Sequence, residues 1–239
     1  MIQSNHIVTG FDRDLEAIQA LIMKMGGQVE DSIGKATIAL IEGDAELAQA
    51  IRRGDKAIDA LEVQVNEEAA RIIALRQPTA TDLRTVLSVF RISAALERIG
   101  DYSKNMAKRT EILMELHPVE GATASLRRMS KSVQLMLKDA LDAYIQRDSD
   151  LAADVRARDE EVDQMYNGLF REYLTHMMED PRNITACMHL HFMAKNIERM
   201  GDLVTNIAEQ VIYLVDGEIP DDDRNKADLT SSTKGGQVG

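Results

Sequence analysis

The sequence predicts an all-α protein, built as two tandem three-helix bundles related by internal duplication. Three observations lead there. Hydrophobic residues make up 44% of the 239-residue chain, yet tryptophan is absent, aromatics reach only 4% and prolines number four; the abundant Ala, Leu, Ile, Met, Glu, Arg and Lys are mostly good helix formers. The chain also matches itself. Val29 pairs with Val133, Ala36 with Ala140, Ile41 with Ile145, Asp44 with Asp148, Leu47 with Leu151, Asp55 with Asp159 and Asp59 with Asp163, all at an offset of 104 residues. The offset falls to 103 at Pro78/Pro181 and to 101 at Glu97/Glu198, a period longer than the ~20–50 residues of solenoid repeats. Finally, apolar residues recur at helical spacing, as in Leu47, Ile51, Ile58, Leu61 and Val65, or Ile92, Leu96, Ile99 and Met106, repeated as Met193, Ile197, Met200 and Ile207.

The elements follow in order. A first helix is expected over 12–42, ended by Glu42-Gly43-Asp44, where the glycine suits a helix C-terminus and the aspartate caps the next helix. The second spans 45–76 and stops at Gln77-Pro78-Thr79, because proline ends a preceding helix. The third covers 81–115. After the linker His117-Pro118-Val119-Glu120-Gly121 the pattern repeats with helices over 123–147, 150–178 and 183–216. Gln146-Arg147-Asp148-Ser149 and Asp180-Pro181-Arg182 are the breaks of the second copy. Long helices with short connections pack antiparallel. The expected organisation is a flexible stretch over 1–9, a first bundle over 10–117, a second over 118–217, and a disordered Ser/Thr/Gly-rich tail over 218–239 that has too little apolar content to pack.

Charge narrows the partners. With 28 basic against 40 acidic residues the formal charge is -12, which disfavours nucleic acid and anionic membrane surfaces. No apolar run approaches the ~20 residues of a spanning helix, and residues 1–15 lack the apolar core of a secretory signal. A single cysteine fits a reducing compartment, so a cytoplasmic location is expected.

The candidate chemistry lies in carboxylates. Glu97-Arg98-Ile99-Gly100-Asp101 returns as Glu198-Arg199-Met200-Gly201-Asp202, with Asn105 and Asn206 four residues on. Residues four apart are neighbours on a helix, where two like charges cost about 0.2–0.5 kcal/mol unless a cation bridges them. The second helix of each half adds Asp55 and Asp59, then Asp159 and Asp163. Antiparallel packing would join the two pairs of each half at one groove. Such oxygen-only sets suit Mg, Mn, Ca or iron better than zinc. Helical angles place Glu97, Asp101 and Asn105 roughly opposite their core stripe, so these acids are expected on the bundle surface. A solvated acidic face is the plainer alternative, weakened by the survival of both pairs in both halves. Cys187-x-His189-x-His191 is read as packing, since only residues 187 and 191 share a helix face and the first half holds Val86, Ser88 and Phe90 there. No Glu-x-x-His, Gly-x-x-x-x-Gly-Lys or serine-triad arrangement is visible, so the protein is expected not to be an enzyme. Two rival readings are a divalent-metal-dependent phosphatase acting through paired cations and a structural bundle whose acidic faces serve solubility.

Several runs resemble the PhoU family. They are Met23-x-Met25-Gly26-Gly27, Arg76-Gln77-Pro78-Thr79-Ala80-Thr81-Asp82-Leu83-Arg84, Ala95-Leu96-Glu97-Arg98-Ile99-Gly100-Asp101 and Tyr173-Leu174-Thr175-His176-Met177-Met178-Glu179-Asp180, and the likeness extends over roughly 5–217. The resemblance implies tandem three-helix bundles that bind divalent or trivalent metal ions (Fe, Mn, Mg or Zn). Carried over by position, the ligands are Asp55, Asp59, Glu97, Asp101, Asp159, Asp163, Glu198 and Asp202. It further implies a homodimeric cytoplasmic adaptor that restrains phosphate uptake and holds down the phosphate-starvation response. Its partners would be the phosphate ABC transporter and the membrane sensor histidine kinase of the phosphate two-component system. Arg84 has Thr185 opposite it in the second half, and Glu62 and Asn66 have Tyr166 and Phe170. A basic partner contact is therefore expected at Arg84 in the first half only, and a more apolar site in the second.

Overall fold

The computed structural model describes residues 2–220, with side chains from Gly10 onward. Its helices are α1 (Ile2–Glu42), α2 (Ala45–Arg76), α3 (Ala80–Leu113), α4 (Ala124–Gln146), α5 (Ser149–Ala157), α6 (Asp159–Glu179) and α7 (Ile184–Asp216), with a single 3-10 turn at Pro181–Asn183. The fold is all-α, with two tandem three-helix bundles. In the first, α1, α2 and α3 pack on one another; in the second, α4 and α7 flank the α5–α6 pair. The halves meet where α3 lies against α7 and α1 against α4. One apolar core therefore runs through both, from Ile22, Met25 and Ile33 in α1 to Met193, Ile197 and Ile207 in α7.

The helix ends obey the capping chemistry. Asp44 accepts from the Leu47 N–H and Asp148 from the Leu151 N–H, both at 2.9 Å. Gly43 takes a left-handed φ of +64°, and Arg147 takes the same conformation at +53° in the second copy, where no glycine is available. Asp180 caps the 3-10 turn through the Arg182 N–H at 2.9 Å.

Two elements differ from expectation. The first helix starts at Ile2, ten residues before the expected 12, since residues 2–11 contain no proline to stop it. The expected single helix over 150–178 is divided at Arg158. There the Glu161 N–H bonds to the Arg158 carbonyl at 3.1 Å, a tightened i-to-i+3 turn immediately beside the buried Asp159. Most of the tail expected over 218–239 lies outside the described residues.

Arg84, where a partner contact is expected, makes a contact within the chain. Its guanidinium stands 3.5 Å from the Tyr213 carbonyl and 5.7 Å over the Tyr213 ring, in the last turn of α7. A cation at a helix C-terminus complements the dipole, so Arg84 ties the first bundle to the end of the second. Among the described residues no helix is long and apolar enough to cross a membrane.

Candidate functional site

Packing of the second helix of each half against the third brings the two acidic pairs together. In the first half, α2 carries Asp55 and Asp59 and α3 carries Glu97 and Asp101. Gly100 sets the approach: a Cβ there would stand 3.0 Å from Ile58 Cδ1 and 3.9 Å from Asp55 Oδ1. The second half repeats this. A Cβ on Gly201 would lie 3.2 Å from Asp159 Oδ1 and 3.3 Å from Val162 Cγ1. The glycine of each Glu-x-x-Gly-Asp run is therefore a close-approach residue that admits an aspartate of the neighbouring helix.

The third-helix residues expected on the surface of the first half are not buried, since Asn105 is exposed and Glu97 and Asp101 are partly so, but the closeness of the helices buries Glu198 and three second-helix acids. Asp55 is only 5% exposed, Asp159 8%, Asp163 7% and Glu198 6%, whereas Glu97, Asp101 and Asp202 are half-buried and Asp59 is exposed. Helical angles measured on one helix place these side chains away from the bundle centre. They do not register the neighbouring helix, which covers that flank at the seam.

Each seam contains a lysine. In the first half the Lys104 ammonium donates to Asp55 Oδ2 at 2.5 Å and to Asp101 Oδ1 at 2.9 Å. The Asp55 and Asp101 contacts raise the Lys104 pKa well above the usual lysine range. Burial pushes the Asp55 carboxyl up; Lys104 pulls it back down, while Asp59 and Asp101 add repulsion. Glu97 is pushed up to about 6, first by burial and then by the charges of Asp101, Glu62 and Asp59. The seam holds more negative charge than one ammonium neutralises.

In the second half the cation comes from the other end of the ladder. Lys195 donates to Glu198 Oε1 at 2.9 Å and lies 4.8 Å over the Tyr166 ring. Glu198 Oε2 is buried and accepts no hydrogen bond. Burial raises the Glu198 pKa, Lys195 opposes this, and Asp202 and Asp163 add to it. The position equivalent to Lys104 is Thr205, whose hydroxyl donates to the Gly201 carbonyl at 3.0 Å; that equivalent to Lys195 is Ala94. Tyr166, standing where the first half has Glu62, supplies the ring on which Lys195 rests. Sequence reasoning missed both lysines. The signal was present, since Lys104 follows Asp101 by three residues and Lys195 precedes Glu198 by three.

As the side chains stand, no group of three or more His, Cys, Asp or Glu among the described residues is arranged to hold a metal ion. The chemistry of the donors, all carboxylate oxygens, is that of a hard-cation site in the second half, where Asp163 and Asp202 act on Glu198 as like charges and the buried Glu198 Oε2 accepts no hydrogen bond. In the first half the Lys104 ammonium already occupies the place between Asp55 and Asp101. The Cys187, His189 and His191 side chains go separate ways. Cys187 is buried as a free thiol, His189 Nδ1 lies 3.2 Å from Arg109 Nη1, and His191 stacks on Tyr166 at 5.7 Å.

The PhoU domain model matches residues 22–110 and again 126–211, one copy for each bundle. The chain belongs to the PhoU family. It is 46% identical over 228 residues to the phosphate-specific transport system accessory protein PhoU homolog of Caulobacter vibrioides (95% of this chain, 99% of that protein). The Zymomonas mobilis homolog of the same name is 47% identical over 231 residues, covering 95% of each. The crystal structure of PhoU from Pseudomonas aeruginosa superposes with a TM-score of 0.84 at 40% identity, over 87% of this chain and all of that one. The phosphate transport system regulatory protein PhoU of Streptococcus pneumoniae gives 0.82 at 31% identity, over 88% and 99%.

Proposed function

We propose that this PhoU-family protein is a non-enzymatic accessory regulator of phosphate uptake, an adaptor that restrains a phosphate transporter and keeps the phosphate-starvation response off when phosphate is plentiful. Its partners in this reading are subunits of the phosphate ABC transporter and the membrane sensor histidine kinase, met by a cytoplasmic homodimer. The observation that carries the reading is full-length similarity: the Caulobacter accessory protein is 46% identical across 95% of the chain.

Cation binding at the acidic seams is part of the proposal. Asp159, Asp163, Glu198 and Asp202 would hold a hard divalent or trivalent ion, with Asp55, Asp59, Glu97 and Asp101 the first-half counterpart. Such an ion would neutralise the repulsion within the seam and staple the second helix to the third. Asp163 and Asp202 already act on Glu198 as like charges, and this repulsion favours cation uptake. The protein's own contribution is the glycine-set approach of the helices, and the lysines that screen the carboxylates.

Deleting the gene in its host and assaying alkaline phosphatase in phosphate-rich medium tests the regulatory role. Constitutively high activity, returned to the repressed level by the plasmid-borne gene, is the expected result. Normal repression in a strain with no second PhoU-family gene would refute it.

A further inference from the structure

We propose that a basic groove between α3 and α7 is a binding site for small phosphoryl anions, of which inorganic phosphate is the smallest. The groove has a volume of about 450 Å³ and is lined by Tyr102, Asn105, Lys108, Arg109 and Ile112 of α3 and by Asn196 and Arg199 of α7. That size falls within the ~300–1,000 Å³ usual for small-molecule pockets. Its lining contains three cations and no carboxylate, on a chain whose formal charge is -12.

Elsewhere on the molecule basic side chains are commonly spent on acids, as in Arg52–Glu111, Arg71–Asp14, Arg158–Asp139 and Arg156–Glu209. Lys108, Arg109 and Arg199 take no carboxylate partner among the described residues. Arg109 is also held in place. Its guanidinium lies 4.5 Å over the Phe192 ring and its Nη1 is 3.2 Å from His189 Nδ1. An arginine fixed in this way loses little freedom on binding, and its planar fork matches a phosphoryl group. The positive field is felt locally, since Arg109 adds to burial in lowering the His189 pKa.

Asn196 supplies the neutral part. It is 9% exposed and lines the groove, where its side-chain amide can donate to an anion. Two arginines, a lysine and an asparagine amide offer a set of N–H donors suited to phosphoryl oxygens. The groove adjoins the acidic ladders, with Asn105 four residues beyond Asp101 and Arg199 next to Glu198 in its lining, and it straddles the junction of the bundles, so an anion there would bridge α3 to α7. This inference rests on the lining residues and not on the proposed regulatory role.

The test is calorimetric titration of the full chain with inorganic phosphate, and separately with adenosine monophosphate, in ~50 mM salt. Saturable binding of at least one probe is expected. R109Q and R199Q should each weaken it about tenfold or more, in proportion to the loss of a charge-assisted contact. K35Q, in a different groove between α1 and α2, should leave it unchanged, with circular dichroism establishing that each variant is folded. No saturable heat with either probe at ~10 mM, or binding that survives the R109Q/R199Q double variant, would overturn the proposal. Loss with K35Q equal to that with R109Q would also overturn it, as a mere effect of net charge. A negative phosphatase assay in the deletion strain would leave these titrations unaffected, so the two ideas fail separately.

Discussion

Lys104→Met removes the ammonium from the first acidic seam while keeping an aliphatic stem. Asp55, 5% exposed, then keeps a buried carboxylate without its cation, facing Asp59 and Asp101. Breaking a fully buried pair costs about 3–5 kcal/mol, and an exposed one about 0–1. The Lys104 side chain is 40% exposed, so the interaction falls between, at about 2 kcal/mol. Burial already holds the Asp55 pKa above its ordinary value, and removal of Lys104 raises it further. For an acid with a raised folded-state pKa, the penalty is full above that pKa and shrinks as pH falls through it toward the unfolded value. Urea unfolding in the presence of chelator should therefore show a loss of about 2 kcal/mol at pH 7.5 and a smaller one at pH 5. The D55N/K104M double variant should recover most of the loss, since a neutral amide replaces the stranded charge. A K104M stability within about 0.5 kcal/mol of the parent, or a double variant no better than K104M, would show that the lysine does not neutralise Asp55.

Three further outcomes are expected. Glu97→Gln should stabilise the metal-free protein at pH 7 by less than about 1 kcal/mol, because the carboxylate is half-exposed and screened. That gain should vanish below the ordinary glutamate range, as Glu97 itself protonates at about 6; an equal gain at pH 4 would point to packing instead. Manganese(II) binding, followed by the loss of its free-ion electron resonance signal, should weaken more in E198A/D202A than in D55A/D59A. The first-half site must displace Lys104, whereas Glu198 already offers an unpaired oxygen; equal losses would contradict that asymmetry. Gly26→Ala should lower stability by about 1–2 kcal/mol despite a helix-propensity gain of about 1, because its Cβ would lie 2.4 Å from Leu141 Cδ1 where α1 meets α4. A higher thermal midpoint would mean that Leu141 repacks freely.

The fold was legible because its determinants are local. Proline at 78 and 181, capping aspartates at 44 and 148 and unbroken apolar stripes set the helices, and the offset between copies set their arrangement. The division at Arg158 was not legible, since it depends on how α6 seats a buried Asp159 against Gly201. Spacing picked out the acids that the helix seams bring together, but not the burial of Asp55, Asp159, Asp163 and Glu198. A helical wheel knows which residues share a face; it does not know how closely a glycine lets the next helix approach. Arg84 illustrates the same limit, because its contact with Tyr213 lies 129 residues away in the chain.

The two seams separate what the duplication kept from what it let drift. Both keep four acids and the close-approach glycine, yet the neutralising lysine stands at opposite ends of the Glu–Asp ladder, Lys104 three residues after Asp101 and Lys195 three before Glu198. Each lysine suits its neighbours. Lys104 reaches across to Asp55, whereas Lys195 lies over Tyr166, which replaces Glu62. Stability alone gives little reason to keep the acids, because an apolar pair of similar volume at a buried site is commonly as stable as an ion pair. Two different lysines meeting one shared arrangement of carboxylates mark the ammonium groups as local compensation. On that logic the lysines should be the dispensable members once another cation is supplied. K104M at pH 7.5 should then regain stability on addition of manganese(II) or magnesium, by an amount that grows with ion concentration as binding to the folded state requires, while D55N/K104M should respond far less.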